Sequence, residues 1–174
     1  MLIRPATTDD AALLHRVAAE TFPLACPPHT TAESIAAFIA EHLSQAAFAH
    51  YLADDERVLF VAEADGEPAG YTMVVFGEPG DADVAASVTT RPTAELSKVY
   101  VREGFHGAGV AAALVDASVA AARDRGARTL WLGVNQENER ANRFYAKQGF
   151  ELVGTKRFLV GERFEDDYVR ERSL

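Results

Sequence analysis

The stretch Val99–Val115, VYVREGFHGAGVAAALV, decides the fold of this sequence. A strand-like run of valine and tyrosine ends at Val101, glycines follow at Gly107 and Gly109, and an alanine-rich apolar run begins at Val110. This order predicts a strand, a tight turn and a helix. Because the first turn of a helix has amide N–H groups without intrahelical partners, an anion can bind there.

A phosphate is the anion that this turn would suit. Gly107 and Gly109 lack the Cβ atoms that would keep a phosphate away from the amides, and His106 could add a hydrogen-bond donor. A Walker A loop requires Gly-Lys-Ser/Thr, whereas Val110 and Ala111 follow the last glycine, and the glycine spacing does not match the dinucleotide-binding fingerprint. Two interpretations remain open: a pyrophosphate-binding loop, or a tight strand-to-helix turn without a ligand.

A second informative stretch is NERANRFYAKQGF, residues 138–150. Asn138 and Tyr145 are seven residues apart, which puts them on one face of a predicted helix, while Phe144 can face the core. A single tyrosine in such a helix is usually a core residue with its hydroxyl at the rim. Tyr145 gains a functional interpretation only together with the glycine loop.

The rest of the chain, working outward, alternates between strand and helix patterns. Residues 57–76 give two β-rich runs around Asp65-Gly66, a strong hairpin signal. Prolines predict a loop at 23–31, and residues 77–93 predict another that could border a binding site. The other predicted strands are residues 2–6, 93–101, 127–134, 150–161 and 163–174. The first predicted helix begins after a cap at Thr8 or Asp9, and a helical region runs from residue 31 toward Leu52. Two more predicted helices span residues 109–125, before Gly126, and residues 138–149. Together they predict one α/β or α+β domain over residues 1–174, with a mixed sheet and helices on both faces.

The composition narrows the classes of partner. The 174 residues are 48% hydrophobic with a net charge of -9, which fits one globular domain and argues against nucleic-acid binding. An acidic chain suits a cationic small substrate, although solubility alone explains such a charge in many proteins. The single cysteine, Cys26, is expected to be a small buried residue rather than a nucleophile paired with His29. Without a disulfide, a signal-peptide pattern or a membrane-spanning run, the expected location is cytoplasmic.

The two stretches together resemble the GCN5-related N-acetyltransferases. In that family the acetyl-CoA loop reads Gln/Arg-x-x-Gly-x-Gly/Ala, and a later motif reads Asn-x-x-Ala-x-x-Phe-Tyr-x-x-x-Gly-Phe. The later motif is matched at Asn138, Ala141, Phe144, Tyr145, Gly149 and Phe150. The loop departs from the family, because His106 stands where Gln or Arg is usual and the register could shift by one residue.

The resemblance implies a mixed, mostly antiparallel sheet of six to seven strands, with acetyl-CoA as co-substrate and no metal ion or acyl-enzyme. Tyr145 would act as general acid toward the leaving thiolate. Glu95 would act as base through a water, unless it is only a solvent-facing residue at the start of its strand. The residues implied to contact acetyl-CoA are Val99, Tyr100, Val101, His106, Gly107, Ala108, Gly109, Val110, Ala111 and Asn138.

The acceptor is the least determined part of the function. The stretches ELSKVYV, FYAKQGFELVG and GERFEDDYVRERSL are most similar to the bacterial Pai-type spermidine/spermine acetyltransferases, which implies a polyamine or another small cationic amine. Acetylation of a protein N-terminus or lysine would need an open groove, which residues 24–52 could either build or cap. A non-catalytic acetyl-CoA sensor and a structural domain without a ligand also stay open. The final strand is a candidate edge for pairing in a homodimer.

Overall fold

A seven-stranded sheet forms the centre of the protein in a computed structural model that describes residues 1–174. The strands are β1 (Leu2–Pro5), β2 (Arg57–Ala64), β3 (Glu67–Phe76), β4 (Thr93–Val101), β5 (Thr129–Asn135), β6 (Glu151–Val160) and β7 (Arg163–Ser173). Their order across the sheet is β1-β2-β3-β4-β5-β7-β6, and only β4 and β5 run parallel. The predicted mixed, mostly antiparallel sheet is confirmed.

Six α-helices cover the two faces of the sheet. They are α1 (Ala11–Ala25), α2 (Ala32–His42), α3 (Gln45–Leu52), α4 (Ala82–Ser87), α5 (Val110–Asp124) and α6 (Glu139–Lys147). Leu14 of α1 and Phe48 of α3 pack with Tyr71 of β3 on one face, whereas Val115 of α5 packs with Leu130 of β5 on the other. Each such buried side chain contributes about 1.5–3 kcal/mol to the hydrophobic stabilisation. None of the helices combines the length and the apolar character that crossing a bilayer requires.

In the N-terminal third, one prediction is wrong and another is refined. The predicted loop at 23–31 begins too early, because α1 continues through Pro23 to Ala25. Proline inside a helix removes one backbone hydrogen bond and crowds the preceding turn, so α1 includes Pro23 at a cost in stability. The helical region predicted from 31 toward Leu52 consists of two helices, since the Oγ of Ser44 accepts the N–H of Ala47 at 3.1 Å and starts a new one.

Two further predictions fail in later elements. The predicted loop at 77–93 contains the short helix α4, whose first turn is capped by the Asp81 carboxylate. The final strand is not an edge, because Glu171 of β7 pairs with Trp131 of β5 on one side and with Glu151 of β6 on the other. The exposed edge at this end of the sheet belongs to β6.

A gap between β4 and β5 positions the candidate site. The parallel ladder pairs only residues 93–95 with 129–131, although β4 continues to Val101 and β5 to Asn135. A register shift against β3 between Leu96 and Lys98 adds a bulge to β4 at the same point, and bulges bend a strand. Beyond Glu95 the two strands therefore leave main-chain groups and space for a ligand between them.

Candidate active site

The turn between β4 and α5 presents free amide groups. Gly107 and Gly109 have φ values of 83° and 79°, a left-handed conformation that residues with a Cβ avoid. The first intrahelical bond is donated by the Ala113 N–H to the Gly109 carbonyl at 3.1 Å, so the amides of residues 110–112 have no acceptor in the helix. The turn therefore has the geometry of an anion site at the start of a helix.

His106 ties this turn to the end of β4. Its Nε2 lies 2.8 Å from the carbonyl oxygen of Val101, so this ring nitrogen carries the proton and donates it to the carbonyl. The half-buried imidazole also lines the cleft beside Gly107. The contact with Val101 is not predicted by the sequence; a contact of His106 with a ligand stays a prediction.

A cleft of about 480 Å³ opens from this turn toward α6, and we call it the glycine cleft. The end of β4 and the start of α5 form one side of it, and α6 forms the other. The predicted residues that line it are Val99, Tyr100, Val101, His106, Gly107, Gly109, Val110, Ala111, Asn138 and Tyr145. Ala108 belongs to the turn without lining the cleft, and Glu95 lies outside it. The cleft thus brings together residues that are far apart in the chain, from β4 to α6.

Tyr145 lies on α6 at the junction of the glycine cleft with a second cavity. Asn138 begins α6, and its Oδ1 accepts the N–H of Ala141 at 3.1 Å. The Tyr145 ring packs edge to face against Phe150, with centroids 5.9 Å apart. Burial raises the pKa of the Tyr145 phenol above its ordinary range. The hydroxyl therefore keeps its proton at neutral pH and can donate it.

The second cavity, which we call the inner pocket, has a volume of about 230 Å³. It lies in the gap between β4 and β5, and the end of α1 and the loop after it cover one side. The residues that line both cavities are Ala25, Val99, Tyr100, Asn138, Ala141 and Tyr145. The charged residues that line the inner pocket are Glu95, Lys98, Lys156, Glu165 and Asp167. The two cavities thus meet at Tyr145, and only the inner pocket has carboxylates.

Glu95 lines the inner pocket from β4. Burial raises the pKa of its carboxyl, and the positive charges of Lys156, Lys98 and Arg57 offset this only in part. A carboxylate with a raised pKa, in the same pocket as a protonated tyrosine, is an arrangement that can serve as base and acid. The structure brings the two predicted catalytic residues to one cavity; their roles stay predictions.

The comparison with known proteins decides the family. Residues 18–150 match the model of the acetyltransferase (GNAT) family. The chain belongs to this family. An uncharacterized N-acetyltransferase from Mycobacterium tuberculosis is 49% identical over 165 residues, which are 95% of this chain and 98% of that protein. An N-alpha-acetyltransferase from Sulfurisphaera tokodaii is 31% identical over 128 residues, which are 73% of this chain and 75% of that protein.

The GNAT fold is also found in the solved structures that resemble this one. The PaiA N-acetyltransferase from Thermoplasma acidophilum, in complex with coenzyme A, has a TM-score of 0.80 and 20% identity, covering 99% of this chain and 98% of that one. At this identity the likeness shows the fold alone. The predicted fold class is confirmed, and the protein is an N-acetyltransferase of the GNAT type.

Four charged residues of the inner pocket are not among those predicted: Lys98 on β4, Lys156 on β6, and Glu165 and Asp167 on β7. Glu165 and Asp167 are only 7% and 6% exposed. They alternate along β7 with exposed neighbours and share a face with the buried Val169, as side chains two residues apart do in a strand. The stretch RFEDDYV contained a signal for these two residues, because the spacing of Glu165 and Asp167 places both on the strand face that is buried.

Two of these pocket residues titrate near physiological pH. Burial raises the pKa of Asp167 to about 6, with Lys156 opposing the change and Glu165 and Asp166 adding to it. Burial lowers the pKa of Lys98 to about 8, against the attraction of Glu95. The inner pocket therefore holds groups that can exchange protons under the conditions in which an enzyme works.

A histidine anchors the cover of the inner pocket. The Nε2 of His29, in the loop after α1, lies 2.6 Å from Oε1 of Glu165, and its Nδ1 lies 3.9 Å from Oε2 of Glu137. The three side chains come close enough to share a cation, yet the hydrogen bond between His29 and Glu165 already accounts for their approach. The pair holds the loop against β7, at one end of the pocket.

We expect Asp167→Asn to stabilise the protein at neutral pH. Folding raises the pKa of Asp167 from 3.8 to about 6, so this carboxyl favours the folded state at low pH and the contribution is lost as the pH rises through about 6. The ionised buried carboxylate then costs about 1–3 kcal/mol, which an amide avoids. Urea unfolding at about pH 4 and about pH 8 measures the gain, which should be small at the lower pH and reach its full size at the higher pH. The exposed neighbour provides the control Asp166→Asn; an equal effect of both changes would contradict the burial of Asp167.

Proposed function

We propose that this GNAT enzyme transfers the acetyl group of acetyl-CoA directly to the primary amine of a small cationic acceptor, with a polyamine as the first candidate. The observation that supports this most is the meeting of two different cavities at Tyr145. One begins at free amides suited to a pyrophosphate, and the other has carboxylates suited to an ammonium group. A thioester and an amine that enter from these two sides would meet beside the Tyr145 hydroxyl.

The glycine cleft fits acetyl-CoA in both its polar and its apolar parts. The pyrophosphate would accept hydrogen bonds from the amides of residues 110–112, with Arg140 at the rim adding positive charge. The pantetheine arm would lie along residues 99–101 of β4, which have no partner strand on the β5 side. The main-chain amide near Val101 would then polarise the thioester carbonyl. The coenzyme A bound to PaiA supports the same co-substrate here.

The proposed reaction is a single displacement. The acceptor ammonium passes a proton to Glu95 through a water, and the neutral amine attacks the thioester carbonyl carbon. The C–S bond breaks, and Tyr145 protonates the departing thiolate. No acyl-enzyme is needed, and burial raises the pKa of the Cys26 thiol to about 11, which makes it a poor nucleophile at neutral pH.

The charges of the inner pocket support a cationic acceptor. Glu95, Glu165 and Asp167 outnumber the two lysines there, and the net charge of the whole chain is -9, which favours the approach of a polycation. The pocket volume of about 230 Å³ admits a small molecule or the end of a longer one. The likeness to PaiA agrees with the Pai-type resemblance of the sequence and makes spermidine and spermine the first acceptors to try.

A protein N-terminus is the second candidate acceptor. The relative from Sulfurisphaera tokodaii that is 31% identical is named an N-alpha-acetyltransferase. In this chain the end of α1 and the loop through Pro27 cover part of the inner pocket, so a peptide would have to enter end-on. A sensor would bind acetyl-CoA without transferring its acetyl group. The charged groups of the inner pocket, which meets the glycine cleft at Tyr145, argue against that role.

Release of free thiol from acetyl-CoA tests the proposal and separates the candidate acceptors. The purified protein is given spermidine, spermine, a peptide with a free N-terminus, and the same peptide blocked at the N-terminus but carrying one lysine. We expect turnover with a polyamine at least about tenfold above either peptide. Turnover confined to a peptide would replace the polyamine by the second candidate. Binding of acetyl-CoA without turnover on any amine would overturn the proposed activity.

We expect His106→Ala to raise the KM for acetyl-CoA about three- to tenfold with little change in kcat, because the variant loses the bond that holds the turn to Val101. Initial rates at varied acetyl-CoA measure the effect. His50→Ala, on the exposed surface of α3, is the control and should match the wild type. An unchanged KM in His106→Ala would mean that the backbone amides suffice.

Three remaining predictions from the sequence are also proposals. We infer one catalytic domain over residues 1–174 and a reducing, cytoplasmic location, which the single unpaired Cys26 supports. A homodimer would pair through the exposed edge of β6, because β7 is inside the sheet.

A further inference from the structure

The lysines of this chain are few and unevenly placed. Of its 17 lysine and arginine residues, only Lys98, Lys147 and Lys156 are lysines. Lys98 and Lys156 line the inner pocket, whereas Lys147 is exposed at the end of α6. The cavity proposed to receive an acceptor amine therefore already contains primary amines of the chain itself.

Lys156 reaches the floor of the inner pocket because Gly133 has no side chain. Lys156 is on β6, and its side chain extends across β7 toward β5. A Cβ added to Gly133 would lie 2.6 Å from Cε and 3.5 Å from Nζ of Lys156. The same position is 3.3 Å from Oδ2 of Asp167. The Lys156 amine is thus held over the backbone of β5, beside the gap where β4 and β5 part.

The Lys156 amine lies 5.3 Å from the centroid of the Phe158 ring and is not hydrogen-bonded in this position. Its charge acts on both Glu95 of β4 and Asp167 of β7, but it makes no hydrogen bond to either carboxylate. The ammonium therefore lies among the carboxylates proposed to receive the acceptor, without being locked by any of them. A flexible four-carbon stem leaves it free to shift toward the gap.

We propose that the enzyme acetylates Nζ of its own Lys156 when no acceptor amine occupies the inner pocket. The proposal rests on the acetyl transfer proposed above and adds a modification site to it. It follows from the placement of a primary amine in the cavity that joins the glycine cleft at Tyr145.

The step balances with the groups already present. The Lys156 ammonium passes one proton to Glu95, and the neutral amine attacks the thioester carbonyl carbon of acetyl-CoA. A C–N bond forms, the C–S bond breaks, and the sulfur takes the proton of Tyr145. The second proton of the nitrogen restores the Tyr145 hydroxyl, and Glu95 releases its proton to solvent. The products are Nε-acetyl-lysine at position 156 and free coenzyme A.

Acetylation of Lys156 would switch the inner pocket off. The amide is uncharged and larger than the ammonium, so it fills the floor above Gly133 and leaves Glu95 and Asp167 without a cation between them. An added acceptor amine competes with Lys156 for the same acetyl group. The modification should therefore accumulate only when the acceptor is scarce.

Lys98 is the rival site, and its position differs. Its Nζ lies 5.9 Å from the centroid of the Tyr51 ring on α3, and the charges of Glu95 and of Arg57 on β2 act on it, whereas Lys156 lies over Gly133 of β5. The lowered pKa of Lys98, about 8, makes it the lysine that more readily becomes neutral. Acetylation of Lys156 would therefore show that position in the pocket decides which lysine reacts, whereas acetylation of Lys98 would show that its lowered pKa decides.

Mass spectrometry of the intact protein and of its peptides provides the test. The wild type is measured as isolated and after incubation with acetyl-CoA alone. We expect one acetyl group per chain, on Lys156, at a rate independent of protein concentration, because the reaction is intramolecular. The acceptor that gives the fastest thiol release should suppress the modification at least about tenfold. Lys156→Arg, which keeps the charge, should carry no acetyl group in the pocket, and Lys147 in every digest reports background acetylation.

The outcomes separate this inference from the proposed function. Thiol release with an added amine, together with an unmodified Lys156, would overturn self-acetylation and leave the transferase activity standing. Acetylation of Lys98 instead, or of Lys147 as fast as Lys156, would overturn it as well. Absence of both acetyl-lysine and thiol release with every amine would overturn both proposals.

Discussion

Replacing Tyr145 by phenylalanine is expected to lower kcat at least about 100-fold, while the KM for acetyl-CoA changes less than about threefold. The hydroxyl lies where the two cavities meet, and burial raises its pKa so that it stays protonated. The ring contacts with Phe144 and Phe150, at centroid distances of 5.2 and 5.9 Å, are kept by phenylalanine. The loss should therefore fall on the proton transfer and not on the fold, as steady-state thiol release measures.

Tyr168→Phe is the matched control for this change. Tyr168 is a half-buried tyrosine of β7 that lines neither cavity, so its loss of a hydroxyl should leave both constants at wild-type values. A wild-type kcat in Tyr145→Phe would remove Tyr145 from the chemistry. A higher KM with normal kcat would reassign it to binding.

Replacing Glu95 by glutamine is expected to lower kcat/KM for the amine about 100-fold near neutral pH, with partial recovery at high pH. A base works as the carboxylate, and burial raises the pKa of Glu95, so the wild-type rate should fall as the pH drops through that raised value. Glutamine does not ionise, so the Glu95→Gln variant should lose this fall in rate at low pH. At high pH more of the acceptor amine is already neutral, which is why part of the activity returns.

Asp167→Asn is the comparison for Glu95→Gln, since both residues line the inner pocket. If Glu95 is the base, Asp167→Asn should raise the KM for the acceptor more than it lowers kcat. A loss in Glu95→Gln that is the same at every pH would contradict its role as base. The reverse pattern in the two variants would transfer that role to Asp167.

The sequence predicts those parts of the site whose structure is determined by residues close together in the chain. A glycine at 107 or 109 is required where the backbone takes a positive φ, and the free amides follow from the start of a helix at Val110. Asn138 and Tyr145 belong to one short helix, so their spacing alone relates them. These residues could be assigned without knowing which strands are neighbours.

The missed parts depend on strand order and register. Lys156 and Asp167 reach the inner pocket because β7 inserts between β5 and β6 and because Gly133 leaves the floor of the pocket open. Neither fact can be derived from a run of alternating residues, which predicts a strand but not its neighbours. The same limit explains why the final strand was expected at an edge. Pro23 is a local exception, since proline is usually absent from helix interiors, yet α1 continues through it to Ala25.

Calorimetric titration with acetyl-CoA and with S-acetylpantetheine, which lacks the pyrophosphate and the nucleotide, tests the role of the glycine cleft most directly. The amides of residues 110–112 and the turn at Gly107 and Gly109 should hold the pyrophosphate. We therefore expect one acetyl-CoA per chain, bound at least about tenfold more tightly than the shorter thioester, since hydrogen bonds to a charged group contribute about 1.5–3 kcal/mol. Equal affinity for the two ligands would contradict the anion site, and absence of binding by acetyl-CoA would contradict the proposed function as a whole.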